Sequence, residues 1–582
     1  MNRRDRFLIL LTAFLLPITS FSQGTWTWVS GDSLIATGGT PNTTYGSKGV
    51  PSPTSTPPHL YEACEWTDHH GNFWLYGGDG PWETNDLWKY DPTTNMWTWM
   101  HGSGVDVDGI GHSTRPVYGT KGIPAPLNTP GSRAWGIMTW VDKNGDLWLF
   151  GGDTQAPAIT YSTSNDLWKY TIASNEWTWM RGDSSENFNS KGAGHYGTKG
   201  IAHPANDPPV RQENNLTWTD KDGNLWLYGG LGGPGTLDDL WKYDPSINMW
   251  TWMSGHSIPG NYPPVYGIKG VEDPLNTPGK RLGYAKFQDG DKLYLFGAAK
   301  LLNLGGVIGS DSLYNDVWSY NIATGYWTWV SGTNEMNDNG KYDSICKKDT
   351  SFIPRAKFEQ RSSWSNGSCG FWIFGGGIKN IGHSNNGCYN DLWYFNLETL
   401  QWSLMSGDSL PLNQGKYGVK GTASTNNIPR ARDGAVPFKG KDGSLWLFGG
   451  VAFSSFSPIP NDLWHFMPDT SCVKLCTDLI TFPPEPEIGT ELLIPNVFTP
   501  NGDAENNLFK ITAKGYKAYV LKIYSRWGTP LMFQSDDASV HWDGMISTSG
   551  NPASDGVYYY ILELTDQKNI FTKYTGFLTL IR

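Results

Sequence analysis

Short apolar runs closed by small residues, usually a glycine pair, recur six times along the chain: Phe73 to Gly78, Leu147 to Gly152, Leu225 to Gly230, Leu293 to Ala298, Phe371 to Gly376 and Leu445 to Gly450. Each run is followed by an Asp-Leu-Trp or Asp-Val-Trp segment, beginning at Asp86, Asp166, Asp239, Asp316, Asp391 and Asp462. A Trp-x-Trp segment then follows at Trp97, Trp177, Trp250 and Trp327, and in weakened form at Trp402 with Leu404. No third segment follows the sixth series. An unattached copy, Trp26-Thr27-Trp28, stands near the N-terminus instead. A period of roughly 68 to 78 residues built from short strand-like segments marks a propeller or an array. The displaced copy favours a closed ring, because pairing the first strand with the last blade removes an exposed sheet edge.

Within one repeat, Arg133 to Trp140 alternates loosely and meets Asp142-Lys143-Asn144-Gly145, whose Asn-Gly step favours a tight hairpin. That predicts strand one, with strand two from Leu147, strand three across Asn165 to Tyr170 and strand four at Trp177 to Trp179. Strand alternation places both tryptophans of Trp-x-Trp on one face, where each covers the neighbouring blade. Burying one such indole hides about 200 Å2, worth roughly 5 kcal/mol gross. The Asp-rich turns at Asp142 and Asp220 mimic part of a calcium loop but lack its later bidentate Glu, so they read as hairpins.

The glycine pairs, the Asn165 to Tyr170 segment and its counterparts, and the Trp that follows resemble kelch repeats across residues 24 to 470. The resemblance implies a six-bladed propeller with strand one innermost. Kelch blades are usually shorter. The excess lies between strand four and the next strand one and carries a refrain, Tyr-Gly-x-Lys-Gly, at Tyr45, Tyr118, Tyr196, Tyr266 and Tyr417; the fifth insert keeps only Lys341-Tyr342.

In a four-stranded antiparallel blade the strand four-to-one and two-to-three connections emerge at one end, so the long loops decorate one face. Loops on a rigid scaffold usually carry binding. Tyr118, Lys121, Tyr196, Lys199, Tyr266 and Lys269 are therefore candidate ligand residues, with a structural clasp as the other reading of the refrain. Basic residues also recur near the start of strand one: Arg133, Arg211, Arg281, Arg361 and Arg432, with His59 taking that register in the first blade. Pointing into a central channel, they would hold a carboxylate or other anion. Pairing with acidic residues between blades is the alternative.

The kelch pattern ceases after Pro468. Residues 471 to 492 read as a linker with two cysteines and the run Phe482 to Glu487, and residues 493 to 582 as a separate unit. Pro495 to Asp503, Leu521 to Gly528, Trp542-Asp543-Gly544, Asp555 to Tyr560 and the terminal Gly576 to Arg582 together resemble the gliding motility-associated C-terminal domain, a type B sorting domain of type IX secretion in Bacteroidota. The resemblance implies an immunoglobulin-like β-sandwich, the type IX secretion machinery as partner, and a secreted or surface-attached protein. The family's acidic turn reads Asn501-Gly502-Asp503-Ala504-Glu505-Asn506-Asn507, one acid short of a calcium loop, and is read as an Asx-type turn.

Residues 1 to 22 read as a signal peptide: Arg3, Arg4 and Arg6 precede the apolar stretch Phe7 to Ile18, which is short for a membrane span. The propeller then covers 23 to 470, and the chain is not read as an integral membrane protein. A net charge of -11 argues against a nucleic-acid partner. Of the six cysteines, Cys346 with Cys388 and Cys472 with Cys476 are the expected disulfides, leaving Cys64 and Cys369 unassigned. Nucleophile-elbow, His-Glu-x-x-His and paired Cys-x-x-Cys motifs are missing. Cys64 with His69 and His70 does not resemble the complete copper site of galactose oxidase-like kelch enzymes, so no catalytic residue, metal or cofactor is assigned. The expectation is an all-β, non-enzymatic module that binds a surface polysaccharide or a protein. A carbohydrate-active oxidase, epimerase or lyase is the alternative.

Overall fold

The computed structural model describes the chain apart from residues 1–23, 33–42, 81–83, 105–113, 157–158, 185–193, 215, 233–234, 259–261, 305–306, 379–386, 452–459, 477–491, 503–505, 514–515, 527–528 and 567–570. The expected signal peptide, the Phe482 to Glu487 run and Asp503 to Glu505 lie outside the described residues. Every regular element described is a strand.

Six sheets share one pattern. In the first blade, Cys64–Thr67, Phe73–Tyr76, Leu87–Asp91 and Met96–His101 pair antiparallel in sequence order. The second repeats it with Met138–Val141, Leu147–Phe150, Leu167–Thr171 and Glu176–Arg181. The sixth blade supplies only Val436–Lys439, Leu445–Phe448 and Leu463–Met467 from its own repeat. Its fourth strand is Thr25–Ser30, with Trp26 opposite Phe466 and Trp28 opposite Trp464. Each first strand touches the first strands of both neighbouring blades, and the cycle returns from the sixth to the first. The assembly is a closed six-bladed ring with strand one lining the axis.

Between blades, the first Trp of each fourth strand meets an aromatic from the second strand of the preceding blade. The pairs are Trp177 with Tyr76, Trp250 with Phe150, Trp327 with Tyr228, Trp402 with Phe296, Trp26 with Phe374 and Trp97 with Phe448, at centroid distances of 4.8 to 5.7 Å. The N-terminal strand thus fills the same role as its five counterparts. Two glycines end strand two because both take positive φ: a Cβ on Gly151 would sit 2.7 Å from the Arg211 carbonyl oxygen, and one on Gly152 would sit 2.6 Å from Ile137.

The disulfides differ from the sequence expectation. Cys346 is bonded to Cys472 and Cys369 to Cys476, while Cys64 and Cys388 are buried outside both bridges. Cys346–Cys388 and a local Cys472–Cys476 pair are both ruled out by the same cause. The segment after the last blade turns back against blade five, where Cys472 and Val473 join Trp26, Trp364 and Phe374 in one core cluster. Asn366 holds it there, donating to the Lys474 carbonyl and accepting from the Cys476 amide.

In the C-terminal unit, Val497–Phe498, Phe571–Leu580, Gly556–Asp566, Tyr516–Ser525 and Leu531–Ser535 form a five-stranded sheet in that order. The first pair runs parallel. A second layer, from the Leu492–Leu493 and Thr512–Ala513 ribbon and the segment around Trp542, closes over a core of Phe509, Ile511, Leu521, Ile523, Leu562 and Leu578.

Candidate functional site

The arginine register is built into each blade and away from the channel. Arg133, Arg211, Arg281 and Arg432 are fully buried and fork onto Asp166, Asp239, Asp316 and Asp462. Each also donates through Nη1 to the first glycine carbonyl after strand two, at Gly151, Gly229, Gly297 and Gly449. In the fifth blade Lys357 occupies the register and meets Asp391. In the first, the amide of Gly450 pairs with the Leu60 carbonyl as that of Gly78 pairs with Arg133, so Leu60, not His59, stands there. With Nε donating to a backbone carbonyl as well, each of these four arginines spends four of its five N–H donors inside its own blade, which corrects their assignment as channel-lining anion holders.

The loop refrain is spent in the same way. The tyrosine hydroxyls of Tyr45, Tyr118, Tyr196, Tyr266, Tyr342 and Tyr417 donate to Asp86, Asp166, Asp239, Asp316, Asp391 and Asp462 at 2.6 to 3.0 Å. Lys121, Lys199 and Lys269 donate to the carbonyls of Gly182, Gly255 and Gly332, and lie 4.2 to 4.4 Å over Trp179, Trp252 and Trp329. Tyr118, Lys121, Tyr196, Lys199, Tyr266 and Lys269 form a clasp between each long loop and its blade. The apolar residue after four of the five refrains stands exposed beside its clasp: Val50, Ile123, Ile201 and Val271. The Asp-rich turns are likewise structural, since Asp142 accepts the Asn144 and Asp146 amides and the Trp148 indole.

Arg361 alone among the predicted arginines reaches the axis. Two residues beyond the register, the six blades carry Glu62, Trp135, Glu213, Gly283, Glu359 and Gly434, all at φ between 52° and 75°. The position precedes strand one, which lines the axis, and lies level with the end of strand two, at the long-loop face. Glycine stands where a neighbour crowds in: a Cβ on Gly283 would sit 3.1 Å from the Glu359 amide, and one on Gly434 3.2 Å from Glu62 Cγ. The side chains in blades one, two, three and five hold a conformation that costs about 1–2 kcal/mol each in non-glycine residues.

Three carboxylates from alternate blades thus converge. One oxygen of each lies within 4.8 Å of one from each of the others. Arg361 Nη2 is 3.0 Å from both Glu62 Oε2 and Glu213 Oε2, and its Nε donates to Glu359. Burial pushes the Glu62 carboxyl well up against the pull of Arg361, and repulsion from Glu213 and Glu359 adds to the rise. Burial and the Glu359 charge push Glu213 up to about 8, against the pull of Arg361. Below the ring, Glu62, Glu65, Arg361 and Gly434 to Pro437 line a cavity of about 10 Å3, room for one water-sized occupant. Lys286 stands 3.8 Å from Glu65 there. Trp135 donates its indole N–H to Asp79 beside the mouth. Cys64 opens strand one, whereas His69 and His70 belong to the turn at its other end.

The glutamates were missed in the sequence because the fifth blade was aligned on Arg361 instead of Lys357. Counting from the glycine pair of strand two fixes the register and places Glu62, Glu213 and Glu359 at one equivalent position.

Residues 492–580 match the family model of the CHU_C type IX secretion signal domain. That signal marks a secreted or cell-surface protein. Among solved structures, one described as "Structure of YjhT" aligns over 70% of this chain and 95% of its own, at 13% identity and a TM-score of 0.42, a likeness too distant to carry any argument. Among the described residues no helix is long and apolar enough to cross a membrane.

Proposed function

We propose that this is a secreted or cell-surface binding or adhesion protein in which a six-bladed kelch-type propeller recognises a surface polysaccharide or a protein at its axial mouth. The C-terminal domain delivers it, after signal-peptide cleavage, to the type IX secretion machinery. The observation that carries the reading is the ring at the start of strand one. The repeated arginines, tyrosines and lysines are spent on structural contacts within their blades, whereas this position gathers three carboxylates, an arginine and an indole at one opening. Buried charge of this kind costs stability unless something pairs with it. A glycan-array screen of the mature chain tests the reading: saturable binding supports it, and no signal from glycans or from surface proteins of the same cell sinks it. Removing residues 493–582 should leave the propeller in the periplasm, and normal surface display of the truncated chain refutes the sorting role.

A carbohydrate-active enzyme is favoured by one observation, the convergence of Glu62, Glu213, Glu359 and Arg361, since raised carboxyl groups beside an arginine suit acid–base chemistry. The sequence carries no nucleophile-elbow, His-Glu-x-x-His or paired Cys-x-x-Cys motif, so the binding reading stands first. Turnover of a bound glycan would reverse that order.

A further inference from the structure

We infer that Glu62, Glu213 and Glu359 form a divalent-cation site on the propeller axis, suited to calcium rather than magnesium. When all three are ionised, the carboxylates face a single guanidinium, which leaves two negative charges that a divalent ion balances. The carboxylate oxygens are not used up by Arg361. Glu359 is 5% exposed, and its Oε1 has no hydrogen-bond partner. Glu62 is 7% exposed, and its Oε2, although close to Arg361, is not aligned to accept a hydrogen bond. A buried acceptor left without a donor costs about 1–3 kcal/mol, more when charged, and a cation relieves that cost.

The chemistry of the donors selects the ion. All three are hard carboxylate oxygens, with no imidazole or thiolate among them, which suits calcium, magnesium or manganese over zinc or copper. Three oxygens within 4.8 Å of one another suit calcium, whose bonds of about 2.3–2.6 Å accept irregular geometry, better than magnesium, which demands bonds of about 2.0–2.1 Å in a near-ideal octahedron. Arg361 then holds the three carboxylates together. It is a positioning residue, the counterpart of the hydrogen-bonded outer partners that orient metal ligands elsewhere. Glu213, the most exposed of the three at 19% of its side chain, marks the side from which water or a ligand reaches the ion.

The site stands on the cluster alone. That an open coordination position takes paired hydroxyls or a carboxylate of the ligand rests on the recognition reading, and its failure would be seen separately, as calcium binding without glycan binding.

The experiment is equilibrium dialysis of the chelator-treated mature chain against calcium alone, up to about 1 mM, the working range of extracellular calcium modules. One calcium per chain is expected, with affinity weakened at least tenfold in both Glu213→Gln and Glu359→Gln, each checked for an intact fold by near-ultraviolet circular dichroism. The wild-type melting temperature should rise with calcium and stay unchanged with equal magnesium, a measurement that holds even if a variant misfolds. No bound calcium at about 1 mM overturns the inference. So does calcium binding of unchanged affinity in both folded variants, which would place the ion elsewhere.

Discussion

Replacing Trp26 with Ala tests ring closure at the one strand that reaches its blade from the other end of the chain. The indole is 1% exposed and packs 5.7 Å from Phe374 in blade five, 6.2 Å from Trp464 and 4.9 Å from Phe466. Truncating a buried Trp costs about 3–5 kcal/mol. Losing the Nε1 donation to Ser406 Oγ adds about 1 kcal/mol by stranding a buried hydroxyl. The expected loss is therefore about 4–6 kcal/mol. Trp28 is half-buried and touches mainly Tyr417 and Lys420, at 5.2 and 4.4 Å, so Trp28→Ala should cost only about 1–2 kcal/mol. Trp97→Ala provides the control. It removes an equally placed indole, 3% exposed, from a blade whose four strands are contiguous in sequence. Denaturant unfolding gives the energies, and native-state hydrogen exchange followed by mass spectrometry gives the location. Trp26→Ala should accelerate exchange in Thr25–Ser30 and Leu463–Met467 selectively, and Trp97→Ala in Leu87–Asp91 and Met96–His101. A Trp26→Ala loss below about 1 kcal/mol, or unchanged exchange in Leu463–Met467, refutes the closure argument.

Three further expectations follow from the same contacts. Arg133→Ala strands the fully buried Asp166 and should cost about 3–5 kcal/mol in denaturant unfolding, with Arg133→Lys milder, since Lys357 already meets Asp391 in blade five; equal losses would contradict the pairing. The Cys346–Cys472 bridge closes a loop with a sequence separation of 126, worth about 5 kcal/mol in the chain-entropy account, so the Cys346→Ser, Cys472→Ser double variant should unfold at clearly lower denaturant, and an unchanged midpoint argues against the bridge. Burial, aided by Lys48, holds the His101 imidazole down to about 4. The folded state keeps it neutral while the unfolded chain protonates near 6.5, so its contribution is intact above that pH and is lost as pH falls from about 6.5 to about 4; His101→Gln should lessen the fall in melting temperature over that window, and an identical profile would count against it.

The ring was legible because its cause is repetitive. Five glycine pairs and one Gly-Ala step, six Asp-Leu-Trp-type segments and the displaced Trp26-Thr27-Trp28 fix both the blade number and the permutation without any long-range information. The site was not legible, for two physical reasons. An arginine near the start of a channel strand looks the same whether it points to the axis or forks onto an aspartate inside its blade, and only the buried Asp166 and its counterparts decide it. The axial position, moreover, is defined by a left-handed backbone that glycine announces at Gly283 and Gly434 and that Glu62, Trp135, Glu213 and Glu359 conceal. The disulfides failed for a third reason: proximity in sequence put Cys472 beside Cys476, whereas the returning tail seats each against a different part of blade five.

The most direct test of the account is ligand binding to the mature wild-type chain compared with Glu213→Gln and Trp135→Ala, on a glycan array and against surface proteins of the same cell. Binding that falls at least tenfold in both variants, with near-ultraviolet circular dichroism unchanged, is the predicted result, because the axial mouth is where the ligand is read. Binding that survives both changes and is lost instead in Ile123→Ser, on the exposed loop beyond the clasp, would contradict it and move recognition to the rim of the long-loop face.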